Sequence, residues 1–327
     1  MRLNTDLRAD GAILLTTLIW GSTFVVAREV LDYWPPLSYL AVRMTLATLV
    51  FVAIFPKRVV EAGRGVWRAG ATLGLLIGVG FVGQTVGLLY TTPSKSAFIT
   101  GLTTPLVPFV AYALLRARPG RENLVGVVLA SVGGVLILAP AEGVGVNTGD
   151  LVTLGTTALF AAHITLMSVY ARRHDVRQLS VVQIAVAAGL TVAAWLAVWM
   201  WGALSGAGQL PSALARELAP LVWNASVAWQ LVYLSLVATI ATFLLWTWGQ
   251  ARMPATHAAI IFSLEPVFAT LFAVLWRGPG QWMGGRANVG ALLILAGVIV
   301  SELRWGEAEK AGAGGPESEG GVRGGAD

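Results

Sequence analysis

The chain contains no cysteine, which excludes disulfide scaffolds, thiolate zinc sites and cysteine nucleophiles. Only three histidines are present, so a polyhistidine metal centre is not expected. Charge is scarce. Asp, Glu, Lys and Arg make up 12% of the 327 residues, against about 25% in soluble domains. A soluble globule of this size could not cover its surface with so few charges. Disorder is excluded for most of the chain, because hydrophobic residues reach 56% and mean hydropathy is +0.72. HExxH, GxSxG and paired GxGD motifs are lacking, which argues against an intramembrane enzyme. The lack of a Walker A motif leaves ATP coupling within the chain unsupported.

What the chain has instead is long apolar runs. A membrane-crossing helix needs about 20 mostly apolar residues. Ten such runs occur, at 11–30, 36–56, 70–90, 93–115, 122–140, 150–171, 178–201, 227–249, 254–276 and 286–303. They are too long for buried strands and lack the alternation of a membrane β-barrel. The fold class predicted is an all-α polytopic membrane protein with ten transmembrane helices. The first run lacks a small-residue cleavage site and reads as a span, not a signal. The 203–226 connection contains PSALARELAPLVW, which reads either as a short interfacial helix or as a plain loop. Residues 306–327 are rich in Gly and Glu and are expected to form a disordered cytoplasmic tail.

The net charge of +5 and the pI near 9.9 suggest nucleic acid only until the charges are placed. With the N-terminus in the cytoplasm, 16 Lys and Arg fall on the cytoplasmic side and 5 on the other. One more, Arg43, lies inside the second run. This bias predicts the plasma (inner) membrane with both termini inside. It leaves no nucleic-acid surface. Most tryptophans, including Trp34, Trp199, Trp201, Trp276 and Trp282, lie near run ends and read as interfacial belt residues.

The two halves resemble each other. A shift of 161 lays Pro93, Ala97 and Pro105 on Pro254, Ala258 and Pro266. A shift of 164 lays Gly126, Leu129 and Gly133 on Gly290, Leu293 and Gly297. WGSTF at 20–24 lies more weakly on FAAHI at 160–164. Each half carries five runs. Five is odd, so the halves enter the membrane from opposite sides, as two inverted five-helix repeats at 1–140 and 141–305.

WGSTF in the first run, Arg43 in the second, YTTPSKSAFITGLTTPLVP at 90–108 and LEPVFATLFAVLW at 264–276 together resemble the drug/metabolite transporter superfamily, EamA type. The resemblance covers residues 11–303. It implies ten helices, a pseudo-twofold inverted repeat, a central cavity and metabolite export. Members usually carry a Glu in a G-E turn just after helices 4 and 9. Here those places read LLRARPG and LWRGPG, with no acid.

Few polar groups lie deep in the runs, and each must be satisfied within the bundle or a wet cavity. The candidate cavity residues are Trp20, Thr23, Arg43, Gln84, His163 and Glu265. Arg43 reads as an anion anchor or as a snorkelling, capping Arg. Glu265 reads as a proton carrier, as a partner for a substrate amine, or as half of a locked ion pair. Arg43 and Glu265 fall at nearly the same depth, so pairing between them, directly or through water, is expected. Trp20 and Thr23 share a helix face. Trp20 sits near mid-depth, where an interfacial Trp is not expected. His163 lies opposite Thr23 under the repeat. Gln84 is costly to bury without a partner. Pro105 and Pro266 each remove an intrahelical donor, and as matched breaks they are the candidate hinges. Gly70, Gly74 and Gly78 mark close helix packing, within the monomer or at a dimer face.

The function expected is a secondary active transporter exporting small metabolites, such as amino acids or amphipathic compounds, with proton coupling as one mode. The alternatives are an uptake permease and, further off, a channel or an intramembrane enzyme. No cofactor or metal is expected. The partners expected are a small-molecule substrate and the lipid bilayer, in a monomer or homodimer.

Overall fold

A computed structural model describes residues 7–116, 120–138, 146–206, 210–253, 258, 261–282 and 284–302. Pro254, part of the ninth run and the tail at 306–327 lie outside these residues. The regular elements described are all helical. In lipid, a helix satisfies its backbone polar groups within one segment, which is why such apolar runs fold this way.

The main helices are α1 (Leu7–Val30), α2 (Pro36–Ile54), α3 (Arg64–Leu88), α4 (Pro93–Gly101), α5 (Thr103–Leu115) and α6 (Arg121–Leu138). They continue as α7 (Thr148–Tyr170), α8 (Val176–Ser205), α9 (Ala225–Val232), a π-helical stretch (Tyr233–Ala241), α10 (Thr242–Gln250), α11 (Glu265–Arg277) and α12 (Gly284–Glu302). Seven segments among the described residues are long and apolar enough to cross a membrane: α1, α2, α3, α4–α5, α7, α8 and α9–α10. The described apolar stretch of α6 is shorter, Leu124–Leu136, and α11 runs for only 13 residues.

Helix α3 packs against α7 and α8. In the other half, α9, the π stretch and α10 pack against α1, and the π stretch against α2. Helix α2 lies along α8, α4 against α11, and α6 along α12. Glycines set how close these pairs come. A Cβ on Gly74 would lie 2.5 Å from the Gln183 carbonyl oxygen and 2.7 Å from Val186 Cβ. Gly70 and Gly78 likewise abut Val182 and Leu190. The stripe on α3 therefore seats α8 within the monomer and is not a dimer face. At the α6–α12 contact the glycines are reciprocal. Gly133 lies on the Gly290 carbonyl and Ile294, and Gly297 lies on the Gly126 carbonyl and Ala130.

The 203–226 connection does contain a short helix, Ser212–Ala215, continued by a 3₁₀ turn at Arg216–Leu218. Trp34 corrects the belt reading. It is 1% exposed, donates from Nε1 to the Val222 carbonyl at 2.8 Å, and meets Trp223 edge-on. Trp199, Trp201, Trp276 and Trp282 are exposed. Trp34 differs because the chain at 222–223 folds back over it.

Candidate functional site

A central cavity is lined by α1, α2, α3, the α4–α5 junction, α7, α10 and the start of α11. All six candidate residues line it: Trp20, Thr23, Arg43, Gln84, His163 and Glu265. On α1, α2 and α3 the lining runs from mid-helix to Ala27, Tyr39 and Leu88, so the cavity extends towards the end where α1 finishes and α2 begins.

Its base is aromatic. The Trp20 ring stacks on Phe262 at 5.6 Å and meets Trp246 edge-on at 4.9 Å. Trp20 Nε1 donates to the Ala238 carbonyl at 3.2 Å and to Thr242 Oγ1 at 3.1 Å. Helix α1 is thus tied to the π stretch, whose wider turns rearrange the backbone pairing. Thr23 donates to the Trp20 carbonyl at 2.7 Å, so its hydroxyl is satisfied within α1.

The Arg43 guanidinium donates from Nε to Thr239 Oγ1 (3.1 Å), from one terminal nitrogen to Tyr39 Oη (2.9 Å), and from the other to the Ala238 carbonyl (3.4 Å). It also lies 5.5 Å from the centre of the Phe81 ring. Glu265 is not its direct partner, which corrects the direct form of the expected pairing. The physical reason is local. Tyr39 sits one turn before Arg43 on α2, and the π stretch presents Thr239 and Ala238 beside it. The Arg side chain is therefore satisfied by neutral oxygens.

Glu265 opens α11, where a negative charge is favoured by the helix dipole. It is half-buried, and its carboxylate has no hydrogen bond or ion pair among the described residues. Gln84 Nε2 donates to Thr100 Oγ1 at 3.0 Å, across from α3 to α4. His163 is fully buried; its Nε2 lies 2.9 Å from Gln183 Oε1 and its ring 4.8 Å from Trp246.

The prolines mark helix restarts. Helix α4 ends at Gly101 and α5 begins at Thr103, with Pro105 in its first turn. Residues 263–264 form a turn before α11, and Pro266 is its second residue. A proline in a first turn forfeits no intrahelical bond, so neither kinks a continuous helix. The two restarts are adjacent: a Cβ on Gly101 would lie 3.1 Å from Pro266 Cγ.

Several lining positions lie at the spacings of the internal sequence match. Trp20 and Phe160, Thr23 and His163, and Phe24 and Ile164 are each 140 positions apart. Gly101 and Phe262, and Thr104 and Glu265, are each 161 apart. Sequence reasoning missed Trp246, Phe262 and Thr104. The 161-residue shift could have found Thr104, as the counterpart of Glu265.

Two polar contacts at the α1–α2 end were also missed. Lys95 Nζ meets Asp150 Oδ2 at 2.6 Å, joining α4 to the capping box of α7. Glu217, in the 203–226 connection, accepts from the backbone N–H groups of Leu37 (2.9 Å) and Ser38 (3.1 Å). It caps α2 from far along the chain, where Pro35 supplies no side-chain cap. Burial, foremost, pushes the Glu217 carboxyl above its ordinary value, opposed by those two N–H groups and by Arg216.

Long apolar helices around a central cavity, part aromatic and part polar, define a polytopic membrane protein with an internal site. The chain belongs to the EamA-like transporter family, whose profile matches twice, over residues 7–139 and 147–303. It is 31% identical to an uncharacterized transporter of Archaeoglobus fulgidus, over 91% of this chain and 87% of that one. It is 22% identical to the uncharacterized transporter YwfM of Bacillus subtilis, over 87% and 92%. A protein solved by crystallography shares the fold with a TM-score of 0.61 at 21% identity, covering 91% of this chain and 98% of that one. The family and these relatives point to a membrane transporter rather than an enzyme.

Proposed function

We propose that the protein is a secondary active transporter that exports small metabolites across the plasma membrane by alternating access. In this reading, ten helices form two inverted five-helix halves, with both termini in the cytoplasm. The observation that carries it is the cavity lining. Matched positions from both halves, 20 with 160, 23 with 163 and 104 with 265, line one central space. A site at the interface of inverted repeats opens to either side when one half rocks against the other. The double family match and the reciprocal glycine contacts of α6 and α12 support the duplication. The adjacent restarts before Pro105 and Pro266 supply the hinges. Trp20, Thr23, Arg43, Gln84, His163 and Glu265 form the substrate cavity, and Glu265 is the candidate proton carrier.

The test is counterflow of a radiolabelled metabolite panel in proteoliposomes, with and without a pH gradient. Saturable counterflow of at least one metabolite is expected, with a pH gradient driving net accumulation. Failure of the whole panel to exceed protein-free liposomes would remove the transporter reading.

A further inference from the structure

Resting on the transporter reading, we propose that the cavity recognises an ammonium group carried on a flat apolar body, with no carboxylate required. Two charged side chains line the cavity, and they are not equivalent as ligand sites. Arg43 is 6% exposed, and all three of its nitrogens are engaged by Thr239, Tyr39 and the Ala238 carbonyl. Glu265 is half-buried, faces the same space, and has no polar partner among the described residues. The charged side chain without a protein partner is therefore the acid.

The surroundings fit the rest of such a molecule. Phe262 precedes Glu265 by three residues, and its ring packs on Trp20 and Trp246 at 5.6 and 5.5 Å. Indole and phenyl faces attract cations and stack on flat apolar groups. The other polar side chains at the cavity include Gln84, Thr100, Thr104 and Thr23, all neutral. A carboxylate ligand would meet repulsion from Glu265 and an arginine three of whose five N–H donors are already engaged. An ammonium ligand would give Glu265 the partner that it lacks.

The experiment is equilibrium titration of the full chain in lipid nanodiscs at neutral pH, using four probes of one shape. These are phenethylamine, 2-phenylethanol, 3-phenylpropanoate and phenylalanine. Phenethylamine is expected to bind about tenfold or more tightly than the alcohol and the acid, as a partly desolvated charge pair allows. Phenylalanine is expected to bind no more tightly than phenethylamine. Glu265→Gln should weaken phenethylamine about thirtyfold or more, while leaving 2-phenylethanol unchanged. The order among the four probes on the unmodified protein stands whether or not the variant folds. Tighter binding of the acid or of phenylalanine overturns the proposal, as does no binding of the amine or an unaltered affinity in Glu265→Gln. Counterflow run in parallel separates the two readings. Glu265-dependent amine binding without any counterflow keeps the recognition site and removes the transporter. Counterflow of other metabolites without amine binding does the reverse.

Discussion

Arg43 and Glu265 divide the electrostatic labour of the cavity by neighbourhood, not by charge. A lone charge at membrane depth costs roughly 2.5–3.5 kcal/mol on insertion scales. Arg43 offsets this with three neutral oxygens, whereas Glu265 has the N-terminus of α11 and the open cavity. Gln84 and Trp20 test whether the lining acts on substrate. Gln84→Ala removes the bond to Thr100, and Trp20→Phe keeps the ring packing but loses the bonds to Ala238 and Thr242. Each should lower counterflow about fivefold at normal membrane abundance, the equivalent of one hydrogen bond of about 1 kcal/mol. Full transport in both would return these side chains to packing alone. Glu217 acts outside the cavity. Glu217→Ala should destabilise the protein by about 1–2 kcal/mol through the lost cap of α2, read from thermal unfolding in detergent. Its pH signature follows from the raised folded value. The folded state holds this proton more tightly than the unfolded state, so the contribution is full below the ordinary value of 4.5 and declines as pH rises through the folded value. The stability difference between the wild type and Glu217→Gln should carry this downward slope just above pH 4.5. A flat difference would show that Glu217 does not titrate with folding.

Helix existence was legible in the sequence because twenty apolar residues in lipid leave few alternatives to a helix. Helix interruption was only partly legible. Pro105 and Pro266 announced breaks, but the chain turns just before each proline and starts a new helix there. The π stretch at 233–241 left no sequence signal, yet it presents the oxygens that engage Arg43. That is why Arg43 could be placed in the cavity while its partner could not. Lys95–Asp150 and Glu217 were missed for a related reason. They join segments far apart in sequence, and periodicity within a run carries no information about such pairs. Glycine spacing carried more. The matches of Gly126 with Gly290 and of Gly133 with Gly297 appear in the fold as reciprocal contacts of α6 and α12. A methyl at either Gly133 or Gly297 would meet backbone of the other helix. Gly133→Ala and Gly297→Ala should therefore each cost about 1–3 kcal/mol. The double variant should cost less than their sum, because one displacement of α6 from α12 relieves both clashes. Unaltered thermal unfolding of either single variant would remove the contact as a determinant of packing.

At the scale of the molecule, charge and cavity together define a direction. The cavity extends towards the α1–α2 end, and the Lys and Arg residues concentrate at the opposite end. A basic end is expected to stay in the cytoplasm, and in that proposed orientation this conformation presents the cavity to the outside. The chain has no cysteine, so a single introduced thiol reports its own side of the membrane. Gly63, before α3, and Gly280, between α11 and α12, are suitable positions, since an added Cβ meets nothing within 4 Å at either. The seven apolar runs between them are expected to put these positions on opposite faces: Gly63 lies in a connection carrying Lys57, Arg58, Arg64 and Arg68, and Gly280 lies at the α1–α2 end near Arg277. Arg277 is also 3.6 Å from Asp32, just after α1, which ties Gly280 to that end independently of the charge count. In intact cells, an impermeant thiol reagent should label Gly280→Cys and spare Gly63→Cys, and permeabilisation should expose both. Labelling of Gly63→Cys alone would invert the protein and turn the cavity to the cytoplasm. Labelling of both before permeabilisation would mean that the two positions share a face and would overturn the count of seven runs between them.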